Sequence, residues 1–366
     1  MLSIYNSANE LREMLFGEKH LEQSHTALNE AIRTSLESGK ITVPPRYLML
    51  KVTNYCNSNC CYCGHAVSRS AQEIKSEVSF DVLQRTVQQA AELGVYAATM
   101  TGGEPLLRDD MPALAEYMLS KGIVPVLLTN ALLLPKKWEE LGEAGLRYLI
   151  ISIDSLDPET YRLQRGAELA QALQGLRAAQ AMRERFGDVK LHVTTVITRH
   201  NIAELPFFVR AMSQDNIAVQ FSPYHHYFHG REDVLSPKDE VELKASVGEL
   251  LQMKREGYLI AGTTEYISQI PDFFLRRRVP EGYRCLTGYL AMFVDAYSNV
   301  RPCWSSCFEP VGNLAEQSLS DIWYGDVYAQ DRKKMFHCAC EGCWYLCTGE
   351  LTTLCNEGGC IYERAL

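Results

Sequence analysis

The chain has 366 residues, 46% of them apolar and 22% charged, with a net charge of −9. That length allows one large or two modest domains with a sizeable core, and the composition is that of a soluble globular protein. The acidic balance argues against nucleic-acid binding as the main task, because that normally leaves a basic footprint. The run Arg276-Arg277-Arg278 is too short to change this and reads as a solvated face. No apolar stretch is long enough to span a bilayer. The start Met1-Leu2-Ser3-Ile4-Tyr5-Asn6 lacks the basic head and apolar centre of a signal peptide. The expected location is therefore cytoplasmic, where thirteen cysteines read as metal ligands rather than disulfides.

Residues up to about Val43 read as helical, with Leu28, Ile32 and Leu36 on one stripe, and Pro44-Pro45 ends them. Apolar β-rich runs then alternate with amphipathic helices. The expected strands are Leu48–Thr53, Tyr96–Thr101, Val124–Thr129, Tyr148–Ile153, Lys190–Ile197 and Ala218–Ser222. Ser79 is placed to cap a helix carrying Leu83, Val87 and Ala90 that Gly94 ends. A later helix carries Leu169, Leu173, Leu176 and Met182 and stops at Gly187, and Asn201 is placed to cap another. Six strand–helix units imply a parallel sheet with right-handed crossovers, curled into an incomplete α/β barrel, (β/α)6. The pattern breaks after Tyr224. A polar helical stretch from about Ser236 to Glu256 leads to a tail that begins at Cys285 and holds nine of the thirteen cysteines. The expected units are 1–45, a helical extension; 46–230, the partial barrel; 231–284, a helical linker; and 285–366, a cysteine-rich second domain.

Directly after the first expected strand comes Cys56-Asn57-Ser58-Asn59-Cys60-Cys61-Tyr62-Cys63. Thiolates at Cys56, Cys60 and Cys63 can hold three irons of a four-iron, four-sulfur cube and leave the fourth iron open to a cofactor or substrate. The loop after a strand is also where open α/β folds place their sites. A structural zinc site is the alternative, but zinc prefers closed sets of four with paired Cys-x2-Cys spacing, and the x3 gap fits that poorly.

The cysteine motif, its place after the first strand and the six-unit β/α pattern together resemble the radical SAM superfamily. Gly102-Gly103-Glu104-Pro105, after the second strand, is similar to the GGE motif of that family. The resemblance implies that Gly102 and Gly103 let the backbone approach S-adenosylmethionine and that Glu104 faces its amino group. It also places Asn130, Ser152 and Asp154 at positions that contact the methionine or ribose, although the same residues suit ordinary strand-end turns. Tyr62 falls where an aromatic side chain packs by the adenine, and Arg165 is a further carry-over to the cofactor site. The tail resembles the twitch or SPASM extension, an α+β domain, through Cys285, Gly288, Cys303, Gly312-Asn313-Leu314, Trp323 and Cys340-x2-Cys343. Phe293–Cys303 reads as a hairpin delivering Cys303 toward Cys285. By this resemblance Cys285, Cys303, Cys340 and Cys343 ligate an auxiliary four-iron cluster, and zinc at these four is the alternative. Cys338, Cys347, Cys355 and Cys360 stand at unfamiliar spacings and either build a second auxiliary cluster or stay free as hydrogen donors, and Cys307 is a further loose thiol, so the number of tail clusters stays open.

The resemblance implies an enzyme. It would cleave S-adenosylmethionine reductively to a 5′-deoxyadenosyl radical, take a hydrogen from a substrate, and finish an oxidation or epimerisation with the auxiliary cluster. The expected partners are a small-molecule substrate (a sugar, cyclitol or nucleoside-like metabolite) and an electron donor such as flavodoxin or ferredoxin, with no nucleic acid and no membrane. Radical modification of a ribosomally made peptide is the second reading; the roughly forty-residue helical lead is short for a fused leader-binding domain. A non-catalytic iron–sulfur or zinc protein is the third. Ser222-Pro223-Tyr224-His225-His226-Tyr227-Phe228-His229 suits a polyhydroxylated substrate at the barrel rim and equally a plain loop. No residue is assigned to hydrogen or proton transfer.

Overall fold

The computed structural model describes residues 21–63, 77–225, 235–304, 307–340, 342–350 and 352–353. Helix α1 (Leu21–Ser38) leads into strand β1 (Tyr47–Thr53). Then follow α2 (Phe80–Leu93), β2 (Ala97–Gly102), α3 (Met111–Ser120), β3 (Val124–Thr129), α4 (Trp138–Glu143), β4 (Tyr148–Ser152), α5 (Pro158–Arg165), α6 (Leu169–Phe186), β5 (Lys190–Ile197), α7 (Leu205–Gln214) and β6 (Ala218–Pro223). These six strands match the sequence expectation to within one residue at either end. They form a parallel sheet in sequential order, open at β6. This is the partial barrel.

Alternation along each strand separates two faces. Leu48, Leu50 and Val52 on β1, Met100 on β2, Leu127 on β3 and Leu149 on β4 are buried against the helices in the main core. That layer is where the stripe Leu83, Val87 and Ala90 of α2 packs. The opposite, concave face is floored by Ala97 and Val126 with Tyr47, Tyr96, Tyr148 and Ile150. Toward the strand C-termini it turns polar: Lys51 pairs in register with Thr101, Ser152 with Thr194, Thr194 with Gln220, and Val196 with Ser222.

After β6 come α8 (Glu240–Arg255), α9 (Thr264–Ser268), α10 (Ile270–Arg276), α11 (Thr287–Leu290), β7 (Ala291–Val294), β8 (Asn299–Arg301), β9 (Gly312–Asn313), α12 (Leu319–Tyr324), α13 (Asp326–Phe336) and a π-helical turn at Leu346–Glu350. The stretch read as a linker packs tightly. Leu243, Val247, Leu250 and Met253 of α8 are buried in the main core. Residues 259–261 hydrogen-bond along Val219, covering the otherwise open edge of β6.

The tail is not a detached lobe. Strand β7 pairs parallel with β1, from Tyr47–Ala291 to Leu50–Val294, and β7–β8–β9 continue antiparallel, giving one nine-stranded sheet. The expected hairpin is present as β7 and β8. The stripe of α1 also finds its partner here: Leu28 and Ile32 pack on Leu286, Tyr289, Leu290 and Phe293. The Trp323 indole donates to the Val43 carbonyl at 2.9 Å, tying α12 to the strand-leading segment.

Two local expectations need correction. Ser79 precedes α2 in extended conformation, but its side chain makes no capping hydrogen bond. Asn201 stands at the start of a short 3-10 turn, Ile202–Glu204, but its side chain makes no capping hydrogen bond. Its Oδ1 accepts from the Thr198 N–H and its Nδ2 donates to the Asp154 and Val196 carbonyls, so the side chain braces the β4–β5 strand ends, and α7 starts only at Leu205. A short amide side chain that can bond backbone on several sides serves either role, and the tertiary partners decide.

Candidate active site

The loop after β1 is pinned from two directions. The Asn59 and Cys61 N–H groups donate to the Arg165 and Gln164 carbonyls at the end of α5, at 3.3 and 2.9 Å. On its other side Gly103 and Glu104 donate to the Thr53 and Tyr55 carbonyls at 2.8 and 2.7 Å. Gly102 has φ +136°, and a side-chain carbon there would overlap the Thr53 carbonyl oxygen; one at Gly103 would overlap that of Tyr55. Only glycine permits this approach. Burial pushes the Cys60 thiol up to about 12; Arg165 opposes that, and Cys63, Asp154 and Cys56 add to it. Cys56, Cys60 and Cys63 share this pinned loop, and among the described residues no three such side chains are drawn together into a ready-formed metal site.

Glu104 is buried, 1% exposed, and its carboxylate closes the site floor. Oε1 accepts from the Leu106 N–H at 3.0 Å and the Thr129 hydroxyl at 2.7 Å, and Oε2 from the Asn130 N–H at 2.8 Å. Burial raises its pKa and these hydrogen bonds pull it back. A carboxylate offers about four acceptor positions, so Oε2 keeps room for one further donor. The Asn130 amide reaches the cysteine loop, donating to Asn57 Oδ1 at 2.8 Å and Ser58 Oγ at 3.1 Å. Ser152 ends β4 nearly buried.

Asp154, Arg165 and Tyr62 form one buried network. Arg165 grips the Asp154 carboxylate with two bonds of 2.6 and 2.7 Å, the Tyr62 hydroxyl donates at 2.5 Å, and the Val196 N–H at 2.8 Å. Each Asp154 oxygen therefore accepts two donors, and the side chain is wholly buried. The Arg165 guanidinium lies 5.5 Å from the Tyr62 ring centroid. The sequence singled out all three residues for the cofactor but not their mutual bonding, which spans 92 and 11 positions.

Lys51 was missed altogether. It projects half-buried from the concave side of β1, its ammonium 4.1 Å from the centre of the Trp304 ring. Burial pushes the ammonium down to about 8, while Asp295 and Cys63 pull the other way. A lysine inside an otherwise apolar strand was the available signal.

In the tail, Cys285, Cys303, Cys340 and Cys343 line one cleft beside Phe308 and Met335, and Cys338 lines it as well. Burial raises the Cys285 thiol, against hydrogen bonds from Thr287 and Tyr283. Cys307 is exposed. The Cys347 side chain, Cys355 and Cys360 lie outside the described residues, as do His226, Tyr227, Phe228 and His229. His225 is buried: its Nε2 accepts from the Trp344 N–H at 2.9 Å and its ring stacks on Tyr345 at 3.8 Å, fastening the β6 end to the tail. The Tyr266 hydroxyl does the same, donating to the Phe221 and Trp344 carbonyls.

Residues 50–211 match the Radical SAM superfamily. This segment is a radical SAM domain. Residues 285–344 match an iron–sulfur cluster-binding domain, SPASM, so this radical SAM enzyme carries a C-terminal auxiliary-cluster domain and uses S-adenosylmethionine and four-iron clusters. Among its relatives is a PqqA peptide cyclase of Xanthomonas campestris pv. campestris, 28% identical over 315 residues, covering 82% of this chain and 79% of the relative. A GTP 3′,8-cyclase of Tolumonas auensis is 38% identical, but over 171 residues, 45% of this chain and 49% of its own. Streptococcus suis SuiB bound to S-adenosylmethionine shares the fold with a TM-score of 0.65 at 17% identity, covering 86% of this chain and 74% of SuiB.

These relatives correct the expected substrate. The small-molecule reading, with its sugar, cyclitol or nucleoside-like partner, is overturned by peptide cyclases that match through barrel and tail together. The nucleotide cyclase matches over less than half the chain. The short helical lead gives no ground against a peptide, because what precedes a barrel does not determine what enters it. Among the described residues no helix is long and apolar enough to cross a membrane.

Proposed function

We propose that this enzyme modifies a peptide by radical chemistry, abstracting hydrogen from a residue of the peptide and forming a new bond within it. The observation that carries this is the match to PqqA peptide cyclases over about four-fifths of both chains, tail included. When bound, the cluster and S-adenosylmethionine supply an electron and a 5′-deoxyadenosyl radical strong enough to attack unactivated carbon.

The chain's own residues divide the remaining work. Cys56, Cys60 and Cys63 hold the barrel cluster. Glu104, through the free position on Oε2, receives the methionine ammonium; Asn130 and Ser152 line the same strand ends; and the Gly102-Gly103 backbone leaves the space for close approach. Asp154 and Arg165 are positioning residues. With each Asp154 oxygen already taken, they orient Tyr62 and clamp the cysteine loop. The barrel of 46–230 and the tail of 285–366 act as one unit through the β1–β7 pairing, and the tail closes the site against water. Cys285, Cys303, Cys340 and Cys343 would hold the auxiliary cluster; of the two hydrogens that a new bond replaces, one leaves as an atom to the 5′-deoxyadenosyl radical and the other as a proton to solvent and an electron, for which such a cluster would supply the acceptor.

The test is anaerobic turnover of the reconstituted enzyme with S-adenosylmethionine, dithionite and synthetic peptides encoded beside the gene. A peptide product lighter by two hydrogens, with 5′-deoxyadenosine released in step, is expected. Consumption of a sugar or cyclitol with every peptide untouched would sink the proposal.

Two variants examine the assignments. Glu104→Ala removes a charge-assisted hydrogen bond worth about 1.5–3 kcal/mol, so calorimetry should show S-adenosylmethionine binding weakened by roughly one to two orders of magnitude. Because Thr129 and Asn130 lose their acceptor too, the same variant should unfold at lower denaturant, whereas Glu104→Gln should recover more stability than affinity. Unchanged affinity in both returns Glu104 to a purely structural role. Separately, Cys285→Ala with Cys303→Ala should keep slow cleavage of S-adenosylmethionine while losing the peptide product. Full product formation by that pair would remove the tail cluster from the reaction.

A further inference from the structure

Two cations flank the cysteine loop, and they differ in one respect. Arg165 is neutralised by the bidentate Asp154 pair. Among the described residues no carboxylate lies within ion-pair distance of Lys51, whose ammonium sits 4.1 Å from the centre of the Trp304 ring. Asp295, the carboxylate in its neighbourhood, is otherwise engaged. Its Oδ1 accepts from the Tyr297 and Asn299 N–H groups, and its Oδ2 accepts from Asn299 Nδ2 and stands 3.7 Å from the Arg301 guanidinium. A lysine on a flexible stem normally carries its charge out to water. Here the indole lies over the ammonium, and Phe293 of β7 holds the indole edge-on at a centroid distance of 5.2 Å. The β1–β7 pairing sets Phe293 beside Met49, and Trp304, next to Cys303, packs against Lys51. Strand β1 runs directly into the cysteine loop of residues 56–63, and Lys51, in register with Thr101, stands near the strand end that presents it.

We propose that Lys51 sets the reduction potential of the barrel cluster by keeping a positive charge on the concave face of β1, where that strand runs into the cysteine loop, with Trp304 holding it there. Reduction adds one electron from an external donor to the cluster and breaks no bond, so the cluster becomes more negative by one charge. A fixed cation in a poorly solvated barrel stabilises that added charge and raises the potential, making a hard reduction easier. Arg165 contributes little of this, because its field is cancelled by Asp154. The proposal goes beyond the substrate reading and holds for any peptide or none.

The test is a redox titration followed by electron paramagnetic resonance on the full, reconstituted chain, without S-adenosylmethionine or peptide, so that the cluster is the charge that Lys51 meets. The barrel signal is identified as the one absent after Cys56, Cys60 and Cys63 are replaced. Lys51→Met should move the barrel midpoint to a more negative potential, Lys51→Arg should leave it near that of the parent, and the tail midpoint should move less. Equal iron content reports intact assembly; where Lys51→Met assembles poorly, Lys51→Gln, also uncharged, carries the same comparison. An unmoved barrel midpoint in the uncharged variants, an equal shift in Lys51→Arg, or a shift confined to the tail cluster overturns the proposal.

Discussion

Replacing Cys56, Cys60 and Cys63 together by alanine removes about four irons per chain and abolishes S-adenosylmethionine cleavage, because the open iron that binds the cofactor exists only when three thiolates hold the other three. The loop itself should survive, since its anchors are backbone bonds from Asn59 and Cys61 to α5 rather than the thiols. The iron that remains counts the tail clusters: about four means one, and about eight means that cysteines beyond Cys285, Cys303, Cys340 and Cys343 complete a second. The cleft that Cys338 shares with those four makes it one candidate for such a role. Release of 5′-deoxyadenosine by the triple variant under dithionite would make the catalytic assignment wrong, and zinc in place of the residual iron would leave the tail a structural lid.

The second large effect is expected away from the cysteines. Asp154→Ala leaves the Arg165 guanidinium buried with no counter-charge, a change that typically costs about 3–5 kcal/mol. The same substitution strips the acceptor from the Tyr62 hydroxyl and the Val196 N–H. Urea unfolding should therefore show the midpoint falling steeply. Iron retention in the barrel should fall with it, because the Arg165 and Gln164 carbonyls hold the loop. Replacing both charges, Asp154→Leu with Arg165→Met, should recover part of the stability, since an apolar pair of similar volume avoids the desolvation penalty. A single variant as stable as the parent would show that the network is dispensable.

Much of the barrel was legible because its signals are local. Each strand is an apolar run bounded by turn residues, each helix repeats apolar positions every three or four residues, and the cysteine triad lies within eight positions beside a strand end. Local chemistry misleads where a side chain has several possible partners. Asn201 has the composition of a helix cap, yet the nearby ends of β4 and β5 claim its amide. The short helical lead carries no information about what enters the barrel.

By itself the sequence determined the six parallel strands, the three-thiolate loop, the glycine pair behind it and the presence of a second cysteine-rich region. Those features depend on residue type and spacing over a few positions. Tertiary structure alone decided that the tail extends the barrel sheet through β1–β7, that α1 packs on the tail, that Asp154 is spent on Arg165 and Tyr62, and that Lys51 faces Trp304. Each joins residues that lie from 11 to more than 250 positions apart. No periodicity records such pairs, because the partner of a buried charge is chosen by which strands lie side by side, and that choice is made only when the whole sheet has formed.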